Sequence, residues 1–277
     1  MAIRLPVRRT TGHVRPQRRV RRASPRLSPI RVAAGLVMLA AVLLGYGLTA
    51  SSSFAVRAVE FGAPPAYTDE AAVRTLLGLD AADGPNIFRV QTDVLAARLR
   101  ALPAVVQVAV SARLPDVLRV ELTERRPIMR WQVGDAALLV DATGMLFAVP
   151  PSGPGAQAAT SLPAVVDRRA SAAALRPGDR LDPLDLDVAT RLASLRPADV
   201  GSAASGLAVA VDETDGFTVR ALPAGWTAVF GFYAPDLRGP DLVPGQVRLL
   251  RSLLAGREAT VARVVLASDR SGTYTTR

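Results

Sequence analysis

The run AVVQVAVSARLPDVLRVELTER, residues 104–125, decides what kind of fold this chain builds. In its first half Val106, Val108 and Val110 alternate with Gln107, Ala109 and Ser111. In its second half Leu118, Val120 and Leu122 alternate with Arg119, Glu121 and Thr123. Alternation with a period of two sorts side chains onto opposite faces of a strand, so each half predicts a strand with one buried and one wet face. Between them, Arg113-Leu114-Pro115-Asp116 has turn chemistry, because proline presets φ and aspartate can bond to nearby backbone. The run reads as a β-hairpin.

Upstream of the hairpin, two segments have helical spacing. In TDEAAVRTLLGL (68–79), Thr68 is the expected N-cap, with Asp69 and Glu70 in the first turn at the positive end of the helix dipole. Val73, Leu76 and Leu77 fall on one face, and Gly78 can close the helix in the left-handed conformation. In TDVLAARLRALP (92–103), Thr92 is again the expected cap, Leu95, Leu99 and Leu102 share a face, and Pro103 stops the helix. NIF (86–88) is a tight connection between the two, and FAVRAVEF (54–61) alternates loosely enough for a strand. The order is β-α-α-β-β: a small sheet covered by two helices.

The charge sits elsewhere. The chain has 277 residues and a formal net charge of +10. Ten of its 34 bases, all arginine, lie within residues 1–31 and the first acid is Glu60, so the remaining 24 bases balance the 24 acids. A folded nucleic-acid-binding domain is expected to carry a basic stripe, and this excess is confined to a tail. With no cysteine and a single histidine, His13, in that tail, the sequence excludes thiolate metal sites, Ser-His-Asp triads and histidine-ligated zinc.

Directly after Arg31 comes VAAGLVMLAAVLLGYGLTASSSFAV (32–56), without a charged side chain. A helix needs roughly 20 apolar residues to cross the hydrocarbon layer, and residues 32–50 supply them. Arginine flanks only the near end, so the positive-inside rule predicts a cytoplasmic tail at 1–31 and export of everything after residue 50. Arg18, Arg19, Arg21, Arg22, Arg26 and Arg31 are the topology-determining residues on this reading, with attraction to anionic lipid added. Three alternatives stand beside it: a cleaved signal peptide with Ser53-Phe54-Ala55 as its site, a buried core helix, and a nucleic-acid-binding arm.

The chain beyond the hairpin is mostly strand-like. AALLV and MLFAV flank a corner at VDATG, where Asp141 and Gly144 supply turn chemistry. PPSGPGAQAATS (150–161) reads as a loop. LDPLDLDVATRLASLRP (181–197) and VPGQVRLLRSLLAG (243–256) have helical stripes, Leu184, Val188, Leu192, Leu195 in the first and Val247, Leu250, Leu254 in the second. Strands are expected at 206–213, 216–222 and 225–232, and the sequence ends on a strand, a turn and a short last strand over 260–277. The fold class is α+β.

Several of these runs together resemble the bacterial cell-division family FtsQ/DivIB. They are GLDAADGPNIFRV, LPAVVQVAVSARLPDVLRVELTERRPIMRW and LLVDATGMLF, with Leu102-Pro103, Leu114-Pro115-Asp116, Glu124-Arg125-Arg126-Pro127, Trp131, Val140-Asp141 and Gly144 as marker residues. The resemblance implies four parts: a basic cytoplasmic tail (1–31), a transmembrane helix (32–50), a POTRA domain (54–124) and a β-rich FtsQ-type domain (125–277). It implies a single-pass protein of the inner membrane, enriched at the division septum, that scaffolds the division machinery. Its partners would be division proteins of the FtsB/FtsL type and cell-wall synthesis proteins, with no nucleic acid, cofactor or small-molecule substrate. It further implies docking by β-augmentation at the closing strand, carried by position onto Asp269, Arg270, Ser271, Gly272, Thr273, Tyr274 and Thr275. Glu124-Arg125-Arg126 reads either as a locally paired or solvated cluster at a domain junction or as a partner contact.

Two other function classes make different demands on the sequence. A POTRA-bearing transport or outer-membrane assembly component would call for a β-barrel, and no run of lipid-facing strands follows. An exported carboxylate hydrolase would need two converging acids. The acid clusters Asp69-Glu70, LDPLDLD (Asp182, Asp185, Asp187) and DETDG (212–216) each have plainer readings as helix starts or a hairpin turn.

Overall fold

The computed structural model of the chain describes residues 28–79, 84–152, 156–236 and 238–277. Arg31 lies among them. Arg18, Arg19, Arg21, Arg22 and Arg26, with the rest of residues 1–27, lie outside the described residues. Two compact units divide at Leu48/Thr49.

The first unit contains all but the last two residues of the apolar helix α1, Pro29–Ala50, of 22 residues. It begins three residues before the charge-free run, because Pro29 is preset for a helical first position and lacks only a donor that has no intrahelical partner there. At about 1.5 Å per residue the helix is about 33 Å long, and it is long and apolar enough to cross a membrane.

The second unit opens with a three-stranded sheet of β1 (Ala58–Phe61), β2 (Val105–Arg113) and β3 (Val117–Glu124), in the order β1-β3-β2. β2 and β3 form the predicted antiparallel hairpin, and β1 lies parallel to β3. Helices α2 (Glu70–Leu76) and α3 (Thr92–Arg100) place Val73, Leu95 and Leu99 against Leu118 and Val120 of the sheet.

Three local expectations for this sheet differ from what is found. The N-cap of α2 is Asp69, whose carboxylate accepts the Ala71 N–H at 3.1 Å, and aspartate is the stronger cap than the adjacent Thr68. Thr92 is already helical, and Gln91 occupies the cap of α3 without a side-chain bond. In β2 a register shift between Val105 and Gln107 puts two residues opposite one. The bulge turns Val105 inward and leaves Val106 48% exposed, reversing the expected face at that position while Val108 stays buried.

A nine-stranded sheet follows, ordered β12-β11-β10-β9-β8-β7-β4-β5-β6 among the described residues. Its strands are β4 (Pro127–Val133), β5 (Ala136–Asp141), β6 (Leu146–Ala148), β7 (Ala164–Asp167), β8 (Gly206–Asp212), β9 (Gly216–Leu222), β10 (Thr227–Gly231), β11 (Val261–Leu266) and β12 (Gly272–Thr276). The parallel pairs are β4/β7, β7/β8 and β10/β11. Parallel neighbours need a crossover, usually helical. Helix α5 (Pro183–Ala193) bridges β7 to β8 and α6 (Val243–Leu254) bridges β10 to β11. Val188 and Leu192 of α5 and Leu250 and Leu254 of α6 join Trp131, Val209, Trp226 and Phe230 in one core. A short helix, α4 (Ala156–Thr160), occupies part of the expected loop, and β7 is a strand that the alternation pattern did not give.

Candidate protein-interaction edge

Among the described residues the strand β12 borders β11 alone. The two pair antiparallel, with Val264 opposite Tyr274, Val265 opposite Thr273 and Leu266 opposite Gly272. Of the predicted docking residues, Gly272, Thr273, Tyr274 and Thr275 lie in β12, while Asp269, Arg270 and Ser271 make the turn before it. That turn is closed by Ser268, whose Oγ accepts the N–H groups of Arg270 and Ser271 at 3.1 and 2.9 Å. Thr273, Tyr274 and Thr275 are exposed, and the Arg257 guanidinium lies over the Tyr274 ring, 5.8 Å from its centroid. Asp269 instead turns back on the molecule: a Cβ at Gly245 in the first turn of α6 would collide with it.

A polar knot fixes this hairpin to α6. Gln246 is fully buried; its amide nitrogen donates to the carbonyls of Phe230 and Leu266, each at 3.2 Å, and its carbonyl accepts the Tyr233 hydroxyl at 2.7 Å. Arg238 Nη2 donates to the same two carbonyls at 2.6 and 2.5 Å. The ends of β10 and β11 are thereby tied to one helix. Burial pushes the Tyr233 hydroxyl pKa well above its ordinary value, with the Arg238 charge opposing, so it remains a donor at any physiological pH. No sequence signal marked this knot, because its members are joined only by the crossover.

The second group of predicted residues sits where the two sheets meet. Glu124 accepts the N–H groups of Ala66 and Tyr67 at 2.6 and 3.1 Å. Arg125 donates through Nε to Pro103 O at 2.7 Å and through Nη1 to Asp141 Oδ2 at 2.6 Å. The other Asp141 oxygen accepts from Thr143 N, Thr143 Oγ1 and Met145 N. Burial alone would raise the Asp141 pKa, but the bonds from Thr143, Arg125 and Met145 outweigh it and hold the carboxyl below its ordinary value. Beside this network Tyr67 meets Phe147 edge-on, with centroids 5.4 Å apart, in a small apolar cluster with Ala104 and Leu139. Glu124 and Arg125 are locally paired, then, and Arg126 is exposed.

The acid clusters resolve into structural roles. Asp182 caps α5 through Leu184 N at 2.8 Å, and Asp212 builds the hairpin turn through Thr214 N and Asp215 N. Trp131, a marker residue, donates from Nε1 to the buried Asp167 at 3.2 Å. Arg169 joins Asp167 to Asp185, at 2.7 Å to each.

With this geometry in place, comparison with known proteins adds the following. Residues 54–125 match the family described as POTRA domain, FtsQ-type. The protein named Cell division protein FtsQ in Neisseria gonorrhoeae is 36% identical over 115 residues, 40% of this chain and 46% of that protein. Its namesake in Chloroflexus aggregans is 29% identical over 178 residues, 62% of each chain. In Koribacter versatilis the namesake is 40% identical over 65 residues, 24% of this chain and 19% of its own length. The matches cover less than two thirds of these relatives' lengths. The ordered marker residues, the β-α-α-β-β unit and these matches together show an FtsQ-type POTRA domain at residues 54–125, in a chain similar over part of its length to proteins named Cell division protein FtsQ.

Proposed function

We propose that this chain is a bitopic membrane scaffold of the cell-division machinery that works by protein–protein binding. α1 crosses the membrane, residues 1–31 stay in the cytoplasm, and the POTRA domain (54–124) and β-rich domain (125–277) are exported and collect at the septum. The POTRA domain contacts other division or cell-wall synthesis proteins, and the β12 edge receives a strand from partners of the FtsB/FtsL type. The observation that carries the docking reading is that β12 ends the nine-stranded sheet with a neighbour on one side only among the described residues. An unpaired strand edge presents main-chain donors and acceptors that a second chain can extend.

The test is site-specific crosslinking in membranes, scanned along residues 261–277. Capture of a division protein at positions on β12 is the expected result. Capture nowhere along the stretch refutes the docking reading, and a cytosolic reporter fused after Arg277 refutes the topology.

A further inference from the structure

We propose that Phe88, together with Arg57 and Arg89, seats the second unit on the lipid headgroup layer; this rests on the reading that α1 spans the membrane. Phe54 lies four residues beyond the end of α1, a reach of at most about 14 Å for an extended chain. The segment from Ser51 to Val56 is not a loose tether. Ser51 O accepts from Asn86 Nδ2 at 3.2 Å, Val56 N–H donates to Pro85 O at 3.0 Å, and Ala55 pairs with Asn86 in an isolated bridge. A Cβ at Gly84 would strike the Val56 carbonyl, so only glycine permits the approach. Residues 84–88 are thus held against the stretch of chain that emerges from the span.

The side chains displayed there suit an interface between hydrocarbon and water. Phe88 packs its ring on Phe54, with centroids 5.2 Å apart, yet stays 46% exposed. Arg89, the next residue, and Arg57, three residues past Phe54, are both exposed, and Arg57 Nη2 donates to Ser52 O at 3.4 Å. Exposed Phe side chains bury at the headgroup/acyl boundary, as Trp and Tyr do at headgroup level, and cationic side chains next to a span attract anionic lipid. A large exposed ring packed on Phe54, four residues beyond the end of α1, with Arg89 next to it in sequence and Arg57 three residues past Phe54, is suited to that layer.

The test uses the full chain reconstituted into vesicles of phosphatidylethanolamine and phosphatidylglycerol, with and without bromine on the acyl chains near the headgroup. The two native tryptophans, Trp131 and Trp226, are buried, and the unsubstituted protein supplies their background. Phe88→Trp should add emission that shallow bromine quenches by about twofold, and Arg89→Glu in the same chain should reduce that quenching. Tyr46→Trp, inside α1, reports the span independently. Quenching at 46 without quenching at 88 overturns the seat and leaves the span standing; quenching at neither overturns both.

Discussion

Replacing Asp141 with alanine should weaken the join between the two sheets by an amount that the geometry sets. The carboxylate is 9% exposed and its partner Arg125 is 20% exposed. Removal leaves that guanidinium with Pro103 O alone and strips the acceptor from Thr143 N, Thr143 Oγ1 and Met145 N. Breaking a buried pair by deleting one partner costs about 3–5 kcal/mol, and partial exposure puts this case near the lower end, about 3 kcal/mol. For a unit of this size that corresponds to a melting temperature lower by about 6–12 °C. Arg125→Ala should cost less, because Asp141 keeps its three other donors, and the double variant should show about 1–2 kcal/mol of coupling. The assay is thermal and urea unfolding of the full chain in detergent, followed by circular dichroism. A cost under 1 kcal/mol for Asp141→Ala, or strictly additive single effects, would refute the claim that this pair locks the junction.

Four further outcomes are expected. Asp141 has a depressed folded pKa, so its contribution is present above about pH 4 and is lost as pH falls through the folded value; Asp141→Asn should flatten the decline in stability between pH 6 and pH 3 measured by urea unfolding. Asp185, whose pKa burial raises, acts in the opposite sense, and an unchanged slope in Asp141→Asn would sink the assignment. Gly245→Ala should destabilise by about 1 kcal/mol or more despite alanine's better helix propensity, because its Cβ meets Asp269; a stabilised variant in thermal melts counts against that contact. Val106→Thr should change unfolding free energy by less than about 0.5 kcal/mol, whereas Val108→Ala should cost about 2 kcal/mol, and equal costs would argue against the bulge. Thr273→Lys should leave stability within about 0.5 kcal/mol yet reduce partner crosslinking severalfold, since an edge lysine opposes strand addition; undiminished capture places the partner elsewhere.

What could be read from the sequence was local. The alternation of 104–125 gives the β2/β3 hairpin, and the stripes Val188–Leu192 and Val247–Leu254 give α5 and α6, because one buried face repeats at the period of its element. β7 escaped because four residues carry too little periodicity, and its last one, Asp167, counts against a strand. It is a strand because β4 and β8 flank it in parallel and because Trp131 and Arg169 satisfy the buried carboxylate. The Val105 bulge also depends on a partner strand, since a two-against-one register has no signature in one strand alone. At the candidate edge the position of the closing strand was legible, while the knot of Gln246, Tyr233 and Arg238 was not, because its members meet only after β10, α6 and β11 have folded together.

The two edges of the large sheet are finished differently, and the difference favours β12 as the surface left for a partner. β6 is only three residues long and wholly buried, and the following chain covers it: Leu146 N–H donates to Asp179 O at 2.9 Å and Gly178 N–H donates to Leu146 O at 2.7 Å. β12 is five residues long, is exposed over Thr273–Thr276, and contains neither proline nor a charged side chain. Proteins usually blunt an open edge with short strands, bulges, charges or a covering segment. On β12 those measures are confined to its far end, where the register shift falls between Val261 and Arg263 of the neighbouring strand. Meanwhile Gln246 and Arg238 hold the turn end of the hairpin at Leu266, so a strand added there would meet a preorganised edge and spend little of its binding energy on ordering it.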